Sequence, residues 1–410
     1  MRSLMSSLLF FSFLGVLISS CSVNAPVSTQ RVSTTLPETK VLSVIPTSTP
    51  KPSFTPTNSP TNTIPPNNKL GLIVTFGEKV KGPSYPGIPV FSPDGQIIAL
   101  ANPRIRFWDV NTHQLIREIE YPFGEGCHFF DAKFSPNGKY FAVSIAKCRD
   151  DKDSAGHLLI WDVLTGNLLQ EWTQTHAKMP GATGKVKDNY IIPVYAFAFL
   201  PDSTGIVFAN GNTLETRNVL DNEKQDVLNL GLNMYATQIS LSPDGKLAYV
   251  LMGWFKYHSS SPSLMSQYKF QSWNLATQTM IRASNYPETS STLHLELLGT
   301  RLVQVDFTKD SSQIFNLETN EVRDLPFRAG WRYYNSDGSL MIYAHLFDAK
   351  PSIELWKTDM KRNIYSFMPD LGGAWIYSMN HIVFSPDNKI LAIDHQEQIS
   401  LWNISPVIEP

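Results

Sequence analysis

One short pattern recurs along most of the chain: an apolar strand, a turn of the Ser-Pro-Asp-Gly kind, a second apolar strand, a variable loop, then a strand ending in Trp and a polar turn. The clearest copies are Phe91-Ser92-Pro93-Asp94-Gly95 leading to Trp108-Asp109-Val110, and Phe134-Ser135-Pro136-Asn137-Gly138 leading to Trp161-Asp162-Val163. Leu200-Pro201-Asp202 with Arg217-Asn218-Val219, then Leu241-Ser242-Pro243-Asp244-Gly245 with Trp273-Asn274-Leu275, continue the series. An eroded fifth copy runs through Gly299 to Phe315-Asn316-Leu317, and the sixth is Asn335-Ser336-Asp337-Gly338 with Trp356. The seventh is Phe384-Ser385-Pro386-Asp387-Asn388 with Trp402-Asn403-Ile404. Proline presets φ for the first corner, Asp or Asn bonds its own backbone, and Gly supplies a positive φ, so each quartet closes a β-hairpin. The Trp or Phe ending the third strand has the bulk to fill space between neighbouring units, and alternating segments such as Leu115-Ile116-Arg117-Glu118-Ile119 follow as outer strands.

Seven units across residues 69–404 average about 48 residues each, slightly above the usual length of a propeller blade. The recurring pairs Trp108-Asp109 and Trp161-Asp162 make the series resemble the WD-repeat family. That resemblance implies an all-β fold: a single β-propeller of about seven four-stranded blades, occupying residues 69–410. The family's Gly-His pair and the Asp preceding its third strand are missing, so its hydrogen-bond network is not carried over. The seventh copy stops at Trp402-Asn403-Ile404-Ser405 with no outer strand after it. The run Leu70-Gly71-Leu72-Ile73-Val74-Thr75-Phe76 is expected to supply that strand from the N-terminal side, which removes an exposed edge and closes the ring.

Ahead of the repeats lie two segments of different character. Met1-Arg2 starts with positive charge, residues 8–18 are apolar except Ser12 and Gly15, and Ser19-Ser20-Cys21 follows. Residues 1–20 therefore read as a secretory signal, too short to span a bilayer stably. Its ending resembles the lipobox of bacterial lipoproteins, which implies lipid attachment at Cys21 and membrane association through the acyl chains. From 22 to 68, nine of the 47 residues are Pro and seventeen are Ser or Thr, a composition that cannot bury a core. With Cys21 this segment is expected to form an extended, disordered stalk. The expected location is the extracytoplasmic face of a membrane in the bacterial cell envelope.

With 17% charged residues and a net charge of −2, the chain has no excess of positive charge to hold a phosphate backbone, which argues against nucleic acid as a partner. The search for catalytic motifs finds no His-Glu-x-x-His, Gly-x-Ser-x-Gly or Cys-x-x-Cys, and the nine histidines are scattered over different units. Gly181-Ala182-Thr183-Gly184-Lys185 lacks the glycine spacing and the hydroxyl residue of a phosphate loop. No catalytic residue, metal site or cofactor is expected. The long connections should cluster on the face opposite the tight turns, where binding usually resides. Candidate binding residues there are Trp254, Phe255 and Tyr257 in one loop, and Lys178, Lys185 and Lys187 in another. Trp331 and Trp375 precede inner strands near the channel. The aromatics serve either a partner or the packing of their own blades, and the lysines either a partner or solvation. These features favour a scaffold that binds a protein or envelope component over the alternative, a propeller enzyme acting on a sugar, lactone or peptide at the central channel.

Hairpin register suggests one covalent bond. With the turn of the second unit centred between Asn137 and Gly138, Cys127 and Cys148 fall directly opposite each other. Opposed residues lie about 4.5 to 5.5 Å apart at Cα, within disulfide range, and an oxidising compartment would preserve the bond. A bulge in either strand would shift the register by one and point the two side chains to opposite faces.

Overall fold

The computed structural model describes residues 70–77, 87–102, 104–119, 128–146, 156–174, 196–230, 235–255, 265–286, 293–306, 311–326, 331–345, 352–367, 382–395 and 398–408. They form seven antiparallel four-stranded sheets, the blades of a propeller. Blade 1 comprises Ile88–Phe91, Ile97–Ala101, Ile105–Asp109 and Leu115–Ile119; blade 2 comprises His128–Phe134, Tyr140–Ala146, Gly156–Asp162 and Leu168–Gln174. Blade 3 runs Phe197–Phe199, Gly205–Asn210, Thr213–Asn218 and Lys224–Asn229, and blade 4 runs Tyr235–Leu241, Leu247–Phe255, Met265–Asn274 and Thr279–Tyr286. The eroded fifth copy is a complete blade, Leu293–Leu298, Arg301–Asp306, Ser311–Asn316 and Val322–Leu325. Blade 6 follows with Trp331–Tyr334, Leu340–His345, Ser352–Lys357 and Arg362–Phe367.

Blade 7 departs from chain order. Ile382–Phe384, Ile390–His395 and Gln398–Asn403 are completed by Gly71–Phe76 from the other end of the domain. Gly71 faces Asn403, Leu72 faces Trp402 and Phe76 faces Ile399, with a bulge between Leu72 and Val74. The strand expected to close the ring does so.

The turns repeat one small piece of chemistry. In blade 1 the Ser92 hydroxyl donates to Asp94 Oδ1 at 2.6 Å and accepts the Ile97 N–H at 2.9 Å, while Asp94 Oδ1 accepts the Gln96 N–H at 3.0 Å. Ser135 with Asn137, Ser242 with Asp244 and Ser385 with Asp387 make the same bonds. The Ser92 and Ser242 hydroxyls hold the Asp94 and Asp244 carboxyls below the usual carboxylate range. The fourth turn residue takes a positive φ, +71° at Gly138, and Ser203 and Asn388 adopt +63° and +61° at the same place. At the turns leaving the third strand, Asp109, Asp162, Asn218, Asn274 and Asn316 accept backbone N–H groups two or three residues ahead. The residue after each Trp, Arg or Phe there thus acts as a turn cap.

Apolar runs in the central strands are buried on both sides because each blade is sandwiched between two others. Ala99, Ala101 and Phe107 of blade 1 pack on Phe134, Phe141 and Trp161 of blade 2, whereas Ile98, Leu100 and Trp108 pack on Ile399 and Leu401 of blade 7. Comparable clusters fill the seams between blades 2 and 3, 3 and 4, 4 and 5, and 6 and 7. The seam between blades 5 and 6 is leaner, built on Val303, Val305, Ile314 and Leu325 with Tyr334. Outer strands also clasp the next blade's turn: Arg117 donates to Leu164 O at 2.6 Å, Gln170 to Leu220 O at 3.1 Å, and Arg282 to Asn320 Oδ1 at 3.3 Å.

Two sequence readings need correction. Trp254 and Phe255 are paired strand, opposite Gln267 and Met265, and extend blade 4 into what was expected to be loop. In blade 2 the expected register holds from Phe134 facing Phe141 to Asp131 facing Ser144, then a bulge at Phe130 moves it, so that Phe129 faces Ile145 and His128 faces Ala146. Cys127 and Cys148, expected to pair, lie outside the described residues.

Candidate functional site

The inner strands of blades 2 and 4 differ from the others in one respect visible from the turns outward. Two and four positions before the turn serine they carry Lys133 and Asp131, and Ser240 and Gln238, where blade 1 has Val90 and Ile88 and blade 3 has Ala198 and Ala196. Each of these two strands is bulged one residue further back, at Phe130 and at Thr237. A bulge adds a residue to one strand of a pair, bends it and re-aims its side chains. Between them stands the three-residue inner strand of blade 3, with small Ala198 at its centre.

A cavity of about 470 Å³ results, lined by Phe130, Asp131 and Lys133 of blade 2, Ala198 and Phe199 of blade 3, Thr237 to Leu241 of blade 4, and Leu297 and Gly299 of blade 5. It sits along the inner strands, toward the face of the tight turns. Lys133 Nζ lies 2.6 Å from Asp131 Oδ2, donates to Phe197 O at 2.7 Å, and stands 4.8 Å from the centroid of the Phe197 ring. Gln238 Oε1 accepts the Leu297 N–H at 2.5 Å, the Ser240 hydroxyl donates to Gly299 O at 2.5 Å, and Thr237 Oγ1 donates to Leu251 O at 3.1 Å. Lys133 thus ties blade 2 to blade 3, and Gln238 and Ser240 tie blade 4 to blade 5, while all three line the cavity. Among the described residues, no three His, Cys, Asp or Glu side chains converge as metal ligands would.

A second polar group lies in the lean seam. Leu295 and Leu297 pack toward blade 4, which turns Glu296 toward blade 6, and Arg332 and Tyr334 face it from the inner strand there. Burial pushes the Glu296 carboxyl up to about 7 against the pull of the Arg332 charge. Burial likewise lowers Arg332 and raises the Tyr334 phenol to about 12, beside the Ser312 hydroxyl.

None of the sequence candidates is among the described residues that line the cavity. Trp254 and Phe255 lie at the end of the second strand of blade 4, and Trp331 opens the inner strand of blade 6 opposite Ala344. Cys21, Lys178, Lys185, Lys187, Tyr257 and Trp375 lie outside the described residues. Sequence reasoning passed over Asp131, Lys133, Thr237, Gln238 and Ser240. Their signal was the polar residue at the inner-strand positions two and four before the turn, visible only once the copies are aligned on their turns.

No protein-family model matches the chain, and no curated protein matches it. Among solved structures the chain is similar to one of hydrazine synthase from Kuenenia stuttgartiensis, with 12% identity, a TM-score of 0.53, and coverage of 80% of this chain and 98% of that one. At that identity the likeness bears on the fold alone, and with the seven sheets it identifies the domain as a seven-bladed β-propeller.

Proposed function

We propose that this chain is a degenerate WD-repeat-like propeller, tethered as a lipoprotein through Cys21 on the extracytoplasmic face of a bacterial membrane, and that it acts as a binding scaffold. The observation that carries the scaffold reading is the state of the polar groups around the cavity. Asp131 and Lys133 neutralise each other, and Lys133, Gln238 and Ser240 are committed to backbone groups of adjacent blades. Groups held this way present a fixed hydrogen-bonding surface, as binding requires, whereas a general acid or base needs a proton it can release or take. The tether reading rests on the apolar run ending in Ser19-Ser20-Cys21 and on the Pro, Ser and Thr content of residues 22–68. The WD-like reading rests on the Trp108-Asp109 and Trp161-Asp162 pairs and their capped turns.

Both parts are tested in cells expressing the full chain with a photo-crosslinking amino acid at Phe130 in the cavity or at Val227 on an outer strand. The parent should fractionate with membranes and Cys21→Ala should be soluble. Position 130 should give adducts well above those at 227. A Cys21→Ala protein that stays with membranes refutes the tether. Equal adducts at the two positions, or none, refute the scaffold.

A further inference from the structure

We infer that the cavity between blades 2 and 5 takes a neutral, polyhydroxylated ligand, a short saccharide, an assignment that rests on the scaffold reading and specifies what the scaffold holds. The argument proceeds by the chemistry each class of ligand would meet. A phosphate or carboxylate would approach Lys133, but Asp131 stands 2.6 Å from that amine and no second cation is among the described residues that line the cavity. The pair offers an anion no net charge. A cation meets the converse arrangement, with Asp131 already offset.

An apolar ligand would take the remaining donors and acceptors of Asp131, Lys133, Thr237, Gln238 and Ser240 out of water without bonding them, which is unfavourable. An extended peptide would bind by adding a strand to an inner edge, which requires open backbone groups there. Those edges are partly closed: Phe197 O is bonded by Lys133, the Leu297 N–H by Gln238, and Gly299 O by Ser240.

What stays available is mixed and neutral. Lys133 has a third N–H, Asp131 its second oxygen, Gln238 its amide nitrogen, and the Thr237 and Ser240 hydroxyls their lone pairs. Donors and acceptors thus share one lining, which suits groups that both donate and accept, namely hydroxyls. Half-buried Phe130 in the same lining offers apolar surface to the C–H face of a sugar ring.

The full chain, extracted in a detergent without a sugar headgroup, is applied to a printed array of neutral oligosaccharides, and its strongest binder is then measured by titration calorimetry. Inorganic phosphate and a tripeptide serve as probes of the other classes. Saccharide binding is expected, and both Gln238→Leu and Phe130→Ala should weaken it about ten-fold, the loss of one good contact. Phe130→Ala removes no hydrogen bond described above, so it remains informative if Gln238→Leu fails to fold, and thermal melts separate the two effects. Binding unchanged in a folded Phe130→Ala protein overturns the assignment. So does an array on which nothing binds, or binding of phosphate or tripeptide in place of sugar. If nothing binds the array while position 130 still crosslinks strongly, the saccharide is wrong and the scaffold stands; if crosslinking also fails, both fall.

Discussion

Thr75 and Ser400 share a hydrogen bond of 2.9 Å between their hydroxyls across 325 residues of sequence. Around it Val74 and Phe76 pack with Ile399 and Leu401, and Phe76 lies 5.4 Å from Trp108 of blade 1. The closing strand therefore buries apolar surface against two blades. Residues 22–60 have a composition that offers no such surface. Deleting 22–60 should leave the melting temperature nearly unchanged, whereas deleting 22–76 should lower it by about 10 °C. Equal melting temperatures for the two truncations would contradict the packing just described.

Gly138 takes a φ of +71°, and a Cβ built there would meet nothing closer than Pro93 Cδ at 3.9 Å. Space is thus not the constraint; backbone conformation is. Gly138→Ala should cost about 1–2 kcal/mol in denaturant unfolding. An Ala protein as stable as the parent would show that the turn can relax out of the left-handed region.

Glu296 provides a pH test. Its carboxyl is raised from 4.5 to about 7 in the folded state, chiefly by burial, with Arg332 and Tyr334 facing it from blade 6. A group whose folded value is raised contributes stability fully present below the unfolded value and lost as pH rises through the folded one. The parent should therefore lose stability between about pH 4.5 and 7. Glu296→Gln, which mimics the protonated acid, should match it at pH 4.5 and melt about 2–4 °C higher at pH 8. A constant difference at both pH values would remove Glu296 from the seam's titration.

Much of this fold was legible because its signals are local. A Ser-Pro-Asp-Gly turn carries its own hydrogen bonds from Ser92 to Ile97, and it closes its hairpin wherever the blade sits. The closing strand could be inferred because the seventh copy lacked one. The bulges at Phe130 and Thr237 had no such signature. A hairpin considered alone suggests an unbroken register from Asn137 toward Cys127, and the inner strand of blade 2 breaks it at Phe130. The cavity was missed for the same reason. Asp131 and Lys133 alternate with apolar Ala132 and Phe134, as on any half-exposed strand. Only the ring turns that exposed side toward Gln238 and Ser240 of a blade a hundred residues away.

Synthesis gives the origin of the closing strand a further consequence. Gly71–Phe76 leaves the ribosome before any other strand of the domain, and its partner Gln398–Asn403 comes last. While blades 1 to 6 are made, the first strand has no ladder to join, and the edge of blade 1 that faces blade 7 is uncovered. Local hairpins can form throughout, but the step that joins the two ends must bring together the most distant residues of the domain, a slow kind of contact that leaves apolar surface open meanwhile. Until that step, a nascent chain could pair this strand with the last blade of a second copy, which makes the ends of the ring the point where two molecules could exchange strands.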